Sequence, residues 1–208
     1  MYNIQGICFE LIAGPMSCGK TEELLRRLRR AKIANKKVKI FSPAVDTRSK
    51  RNHIESRNGL TQLAIIVKSA REILDYIDED TQVVGIDELQ FYDPDIINIV
   101  KILINKNIKV VASGLDLDFK GEPFGVMPVA LALADRVDKL TAICMSCGSE
   151  YACRTQRLID GKPADKNSPL IMVGGDDTYE ARCLNCYVLP DESEELIEEE
   201  QLVACLTA

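Results

Sequence analysis

The run Gly14-Pro15-Met16-Ser17-Cys18-Gly19-Lys20-Thr21 constrains this chain more than any other feature. It fits G-x-x-x-x-G-K-[ST] and lies between an apolar run, Ile7 to Ile12, and a helical pattern, Thr21 to Ala34, that carries Leu24, Leu25 and Leu28 on one stripe. Glycines at these positions let successive backbone N–H groups face inward around phosphates, and the helix N-terminus adds partial positive charge. Lys20 then reaches the transferable phosphates and the Thr21 hydroxyl is suited to Mg²⁺.

Further apolar runs, Lys37 to Phe41, Gln82 to Ile86 and Lys109 to Ala112, read as strands buried on both faces. Between them Ser69 with Glu72 predicts a capping box, and Asp93 before Pro94 predicts another helix start. Strands alternating with helices predict an α/β domain with a mostly parallel sheet and flanking helices, of the P-loop NTPase kind, over residues 1–142. The second of these later runs, Val83-Val84-Gly85-Ile86-Asp87-Glu88, ends in two acids at the sheet edge where α/β ligands bind. Asp87 there is suited to Mg²⁺. Glu88 is suited either to orienting water or to accepting the proton of a substrate hydroxyl.

After Leu140 the character changes. Cys144-x-x-Cys147 and Cys183-x-x-Cys186 supply four thiolates, enough for a closed tetrahedral structural Zn²⁺ site. The span between the pairs predicts an inserted loop, Gly148 to Arg182, with little core of its own, a strand at Leu170 to Val173, and the capacity to close over a ligand. Residues 143–190 are therefore expected to form a small zinc-ribbon-like lobe carrying a lasso loop. Residues 191–208 form an acidic tail with seven acids and no base, which accounts for the net charge of −6; without it the body is nearly neutral.

That neutrality argues against nucleic-acid binding, which needs a patch of Lys and Arg. No apolar stretch approaches the roughly 20 residues that cross a bilayer. With no signal-like N-terminus, the expected location is the cytoplasm, where paired cysteines bind metal rather than form disulfides. The Arg26 to Lys32 cluster reads as the solvated face opposite the Leu stripe, and His53 as part of a mobile polar loop. A P-loop ATPase acting on nucleic acid through a zinc ribbon, and a non-catalytic nucleotide-binding protein, are the competing readings. Charge disfavours the first, and the retention of Lys20, Thr21, Asp87 and Glu88 disfavours the second.

The Met16-bearing loop, Asp46-Thr47-Arg48, Ile86-Asp87-Glu88 with Gln90-Phe91, Gly114-Leu115-Asp116 through Phe124-Gly125, both cysteine pairs, and Gly174-Gly175 before Tyr179 together resemble the type II thymidine kinases, from about Ile7 to Tyr187. The resemblance implies ATP- and Mg²⁺-dependent transfer of the γ-phosphate to the 5′-hydroxyl of thymidine, in a homotetramer inhibited by thymidine triphosphate. By position it makes Glu88 the base and sets Asp46, Arg48 and Asp87 around Mg²⁺ and phosphates. It gathers Met16, Gln90, Phe91, Leu115, Phe119, Phe124, Thr155 and Tyr179 around the nucleoside, and makes Ile171, Met172, Val173, Gly174 and Gly175 the lasso that reads the thymine edge. Leu89 stands where the family has a small residue, so either the backbone shifts or Leu89 projects into a neighbouring space. Cys18, within the ring of amides, is expected to have a lowered pKa and to be shielded by nucleotide.

Overall fold

The computed structural model describes residues 6, 8–44, 53–55, 61–170 and 178–189. Its centre is β1 (Phe9–Ala13), five buried residues paired in parallel with β7 (Lys109–Gly114) on one side and β8 (Arg136–Lys139) on the other. Outward from β7 lie β6 (Val83–Ile86), β2 (Val38–Pro43) and β5 (Ile65–Val67), giving six parallel strands in the order β5-β2-β6-β7-β1-β8. Successive strand residues point to opposite faces, so every inner strand is apolar on both. Leu11, Phe41, Val84 and Val110 meet α3 (Ile96–Asn105) and α4 (Met127–Leu133) on one face. Ile12, Ile40, Val83 and Val111 meet Leu24 and Leu28 of α1 (Lys20–Ile33) on the other.

The four apolar runs read from the sequence are β1, β2, β6 and β7, and the leucine stripe is the buried face of α1. Four local expectations change. Glu72 opens the short α2 (Glu72–Asp75), but its Oε2 accepts from the amide of Lys68, not Ser69, at 2.9 Å. Asp93 does not start α3, which begins at Ile96; Asp93 Oδ1 accepts the Asp95 amide and Oδ2 the Ala70 amide, which pins the preceding turn to α2. Arg27 is not solvated. It turns inward to Glu10 Oε2 at 2.7 Å and Glu23 Oε1 at 2.8 Å, and also bonds Asp138, because a carboxylate on buried β1 needs a cation. His53, expected in a mobile loop, belongs to the strand β3 (His53–Glu55), antiparallel to β4 (Thr61–Leu63).

The segment between the cysteine pairs is more ordered than a tethered loop. It contains β9 (Arg154–Ile159), β10 (Lys162–Pro163) and β11 (Thr178–Arg182), a small antiparallel sheet ordered β10-β9-β11. The sheet shares a cluster of Ala142, Cys144, Ala152, Ala181 and Cys183. Antiparallel pairing satisfies the backbone of a segment whose own apolar content is low. Residues 171–173 of the expected strand, and the acidic tail, lie outside the described residues.

Candidate functional site

The glycine-rich loop leaves β1 at Ala13 and enters α1 at Lys20. Gly14 has φ +144, and a Cβ there would sit 2.5 Å from the carbonyl oxygen of Leu140, just past β8; only glycine allows so close an approach. Ser17 and Gly19 also have positive φ, bending the loop into the curve that a phosphate cradle requires. Lys20 Nζ donates to Pro15 O at 2.5 Å across the loop. The Met16 amide donates to Thr155 Oγ1 at 3.0 Å, so a side chain of β9 holds the cradle from the small lobe.

Cys18 also faces the lobe, packing against its cysteine–alanine cluster. Its thiol is raised, not lowered: burial outweighs the nearby Lys20 ammonium, and Asp116 adds to the rise. The expectation of a lowered pKa missed this burial, which depends on chain more than a hundred residues away.

Asp87 and Glu88 follow β6 directly. Asp87 is buried, its amide completes the ladder to Phe41 O, and its carboxylate accepts a short hydrogen bond from Ser113 Oγ on β7. Burial first and the Glu88 charge second raise its pKa to about 7, while Ser113, the Glu88 amide and Lys20 oppose the shift. Glu88 has φ 50 and ψ 48, a left-handed conformation uncommon for a side chain of this kind and one that clusters at functional sites. Directly after this twist Leu89 enters the main core, where it is fully buried. Leu89 thus projects into a space formed by the fold.

Gln90 Nε2 donates to Glu88 Oε2 at 2.6 Å, and Gln90 Oε1 accepts from the Leu115 amide at 2.9 Å. Gln90, expected against substrate, has both ends of its amide engaged with protein. Gly125, at φ +51, lets the loop after β7 pass over it; a Cβ would lie 2.5 Å from Gln90 O. Phe91 and Phe124 meet edge to face at 5.5 Å, and Leu115 is half-buried beside them. Phe119, nearly buried, is tied to the small lobe by Tyr187 Oη, which donates to its carbonyl at 2.8 Å. Asp118 Oδ1 accepts the amides of Lys120 and Glu122 and shapes the same loop.

The structure therefore gathers the octapeptide, Asp87, Glu88, Gln90, Phe91, Leu115 and Phe124 at the C-terminal edge of the sheet, and connects Thr155 to them through Met16. Tyr179 lies on β11, beside Phe119 through Arg157. Asp46, Arg48, Ile171, Met172, Val173, Gly174 and Gly175 lie outside the described residues. Sequence reasoning missed Ser113, Asp118, Arg157 and Tyr187. Only Ser113 had a local signal, since it follows by one position the β7 residue that pairs with Ile86.

The four cysteine Sγ atoms of the two pairs lie within 4.8 Å of one another. Amides of Cys183, Cys147 and Ser146 lower Cys144 to about 6 against the opposing effect of burial. For Cys186 a Ser146 hydrogen bond pulls down, but the neighbouring Cys147 and Cys183 thiols, aided by burial, push it up to about 12. Four sulfurs that cannot all ionise unaided fit a Zn²⁺ ion, which would be held by Cys144, Cys147, Cys183 and Cys186.

A parallel sheet with a phosphate cradle after its first strand and two acids after a neighbouring one defines a P-loop nucleotide-binding protein. The thymidine kinase family model matches residues 7–187, and the chain belongs to that family; it is a kinase acting on a nucleoside. Among solved structures it is similar to the Pif1 helicase from Candida albicans, at 15% identity and TM-score 0.37, over 64% of this chain and 36% of that one. The chain thus spans about a third of that helicase.

Proposed function

We propose that the protein transfers the γ-phosphate of ATP to the 5′-hydroxyl of thymidine, and of deoxyuridine, giving the 5′-monophosphate and ADP for nucleotide salvage. The observation that carries this reading is the Glu88–Gln90–Leu115 chain, which holds the Glu88 carboxylate at the same edge of the sheet as the glycine-rich loop and the Phe91–Phe124 pair. Thr21 and Asp87 would hold Mg²⁺, which when bound neutralises charge on the phosphates. Glu88 accepts the 5′-hydroxyl proton, and the sugar oxygen bonds to the γ-phosphorus as its bond to the bridging oxygen of ADP breaks. Lys20 moves from Pro15 O to the phosphates. Phe91, Phe124, Leu115 and Met16 pack the base, and Phe119, Thr155 and Tyr179 close the pocket around it.

Asp46 and Arg48 complete the phosphate end, and the segment Ile171 to Gly175 reads the base edge, in keeping with the family resemblance. The division into a nucleotide-binding domain to residue 142, a zinc lobe to residue 190 and a tail belongs to the same reading. So do a cytoplasmic homotetramer, inhibition by thymidine triphosphate and the absence of a nucleic-acid or membrane partner. No helix among the described residues is long and apolar enough to cross a membrane.

The test offers zinc-loaded protein ATP, Mg²⁺ and each of the four deoxynucleosides, with deoxyuridine as a fifth, and measures ADP release. Thymidine and deoxyuridine alone should be phosphorylated. Equal turnover of deoxycytidine or a purine deoxynucleoside, or release driven by DNA, would replace this reading.

A further inference from the structure

The largest fully buried side chain among the described residues is a cation, Arg157. A guanidinium kept from water is costly unless its surroundings compensate, and a methionine of similar length would fill the same volume without that cost. Three separate parts of the chain supply partners to it. Its guanidinium carbon lies 5.2 Å from the centre of the Phe119 ring, on the loop after β7, and 5.8 Å from that of the Tyr179 ring, on β11. Arg157 Nη1 donates to Pro169 O at 2.6 Å. Its own backbone is fixed on both sides: it pairs with Tyr179 in the β9–β11 register, and its carbonyl accepts the Ala164 amide.

Two of these partners, Phe119 and Tyr179, belong to the nucleoside pocket of the function proposed above, but to different structural units. Phe119 leaves the parallel sheet, whereas Tyr179 belongs to the small lobe. Aromatic faces attract a desolvated guanidinium, and the planar group directs an N–H to the Pro169 carbonyl. One side chain thereby sets the separation of two pocket rings and fixes Pro169 relative to both. Residues that hold others in place in this way act through the geometry of the pocket, so their removal weakens binding of one substrate without touching the chemistry.

We propose that Arg157 is the positioning residue of the nucleoside pocket, a cationic clamp that holds Phe119 and Tyr179 together across the two units and anchors Pro169. The proposal rests on the nucleoside-kinase reading of that pocket and specifies which residue gives it its shape. Phe119, Tyr179 and Pro169 all lie outside the phosphate cradle, so the clamp acts on nucleoside affinity and leaves ATP alone.

The experiment compares wild type with Arg157→Met and Arg157→Lys, measuring kcat, KM for thymidine and KM for ATP in each. Arg157→Met should raise KM for thymidine by about tenfold or more, leave kcat at saturating thymidine within about twofold, and leave KM for ATP unchanged. Arg157→Lys, which keeps the charge but not the planar group, should fall between the two. An unchanged KM for thymidine, or equal rises in both KM values, overturns the clamp. If Arg157→Met does not fold, Arg157→Lys alone decides on the same criteria. Amide hydrogen exchange over residues 164–170 and 178–182 separates this result from a failure of the thymidine reading. If wild type phosphorylates no deoxynucleoside, faster exchange there in Arg157→Lys, with α1 unchanged, still supports the clamp, and unchanged exchange overturns it.

Discussion

Gln90 donates to Glu88 Oε2 at 2.6 Å while its carbonyl oxygen accepts the Leu115 amide, so the carboxylate proposed as the base is held from the neighbouring strand end, not by its own backbone alone. Glu88 already occupies a left-handed conformation, and the amide bridge keeps its side chain directed as the strand turns. Glu88→Gln should lower kcat by about 10²–10⁴-fold while leaving ATP affinity nearly unchanged, because the amide keeps the shape but cannot take a proton. Gln90→Leu, which breaks both bonds and leaves the Leu115 amide unpaired, should lower kcat by about tenfold or more with a smaller effect on ATP binding. Steady-state kinetics with ATP-binding titrations distinguish these, and full turnover in Glu88→Gln would remove Glu88 as the base.

The Met16–Thr155 hydrogen bond couples the phosphate cradle to the small lobe. Thr155→Val keeps the shape of the side chain and removes the acceptor. A hydrogen bond of this kind contributes about 1 kcal/mol, so KM for ATP should rise by about fivefold with kcat little changed. Thr155→Ser should restore wild-type behaviour. If Thr155→Val binds ATP as well as wild type, the lobe does not support the cradle.

The extent to which the sequence disclosed this arrangement follows from the range of each interaction. The octapeptide and the four inner strands were legible because their signals are local: glycines at fixed spacing, and apolar runs long enough to be buried on both faces. β8 was not, since Arg136-Val137-Asp138-Lys139 is polar and becomes a strand only by pairing with β1. The same holds for β9, where Thr155, Gln156 and Arg157 are polar yet buried, so no apolar run marks the strand. Buried Arg27 looked solvated because its partners Glu10 and Asp138 are 17 and 111 residues away. Cys18 looked reactive for the complementary reason, its burial being supplied by the lobe.

The Arg27 network makes stability depend on acid. Hydrogen bonds from Arg26, followed against burial by those from Arg27, lower Glu23 from 4.5 to about 2. Asp138 is lowered by its bonds to Arg27 and Arg136, and Glu10 is lowered despite its burial because Lys109 and Arg27 outweigh it. Groups lowered on folding hold their protons less tightly in the native state, so their contribution is complete above about pH 4.5 and is lost as pH falls towards about 2. Arg27→Met, which leaves Glu10 buried without this cation, should cost about 3 kcal/mol at pH 7, and the difference from wild type should shrink by pH 3. Urea midpoints at the two pH values measure this, and a gap that stays constant would mean Arg27 acts only by packing.

Tyr92 is nearly buried in the main core, and its hydroxyl has no hydrogen-bond partner among the described residues. Burial, with the nearby Asp87 charge adding to it, raises its pKa well above 10, so the group remains a neutral phenol whose polar end is unsatisfied. An unpaired buried hydroxyl costs about 1–3 kcal/mol, whereas the ring makes the apolar contacts that hold α3 against the sheet. Tyr92→Phe keeps the ring and deletes the cost. It should therefore stabilise the protein by about 1 kcal/mol, raising Tm by about 2–4 °C in a chain of this length. A fall in Tm would show that the hydroxyl is bonded in solution, and Asp87, the charged group that most affects it, would be the first partner to test by Asp87→Asn in the Tyr92→Phe background.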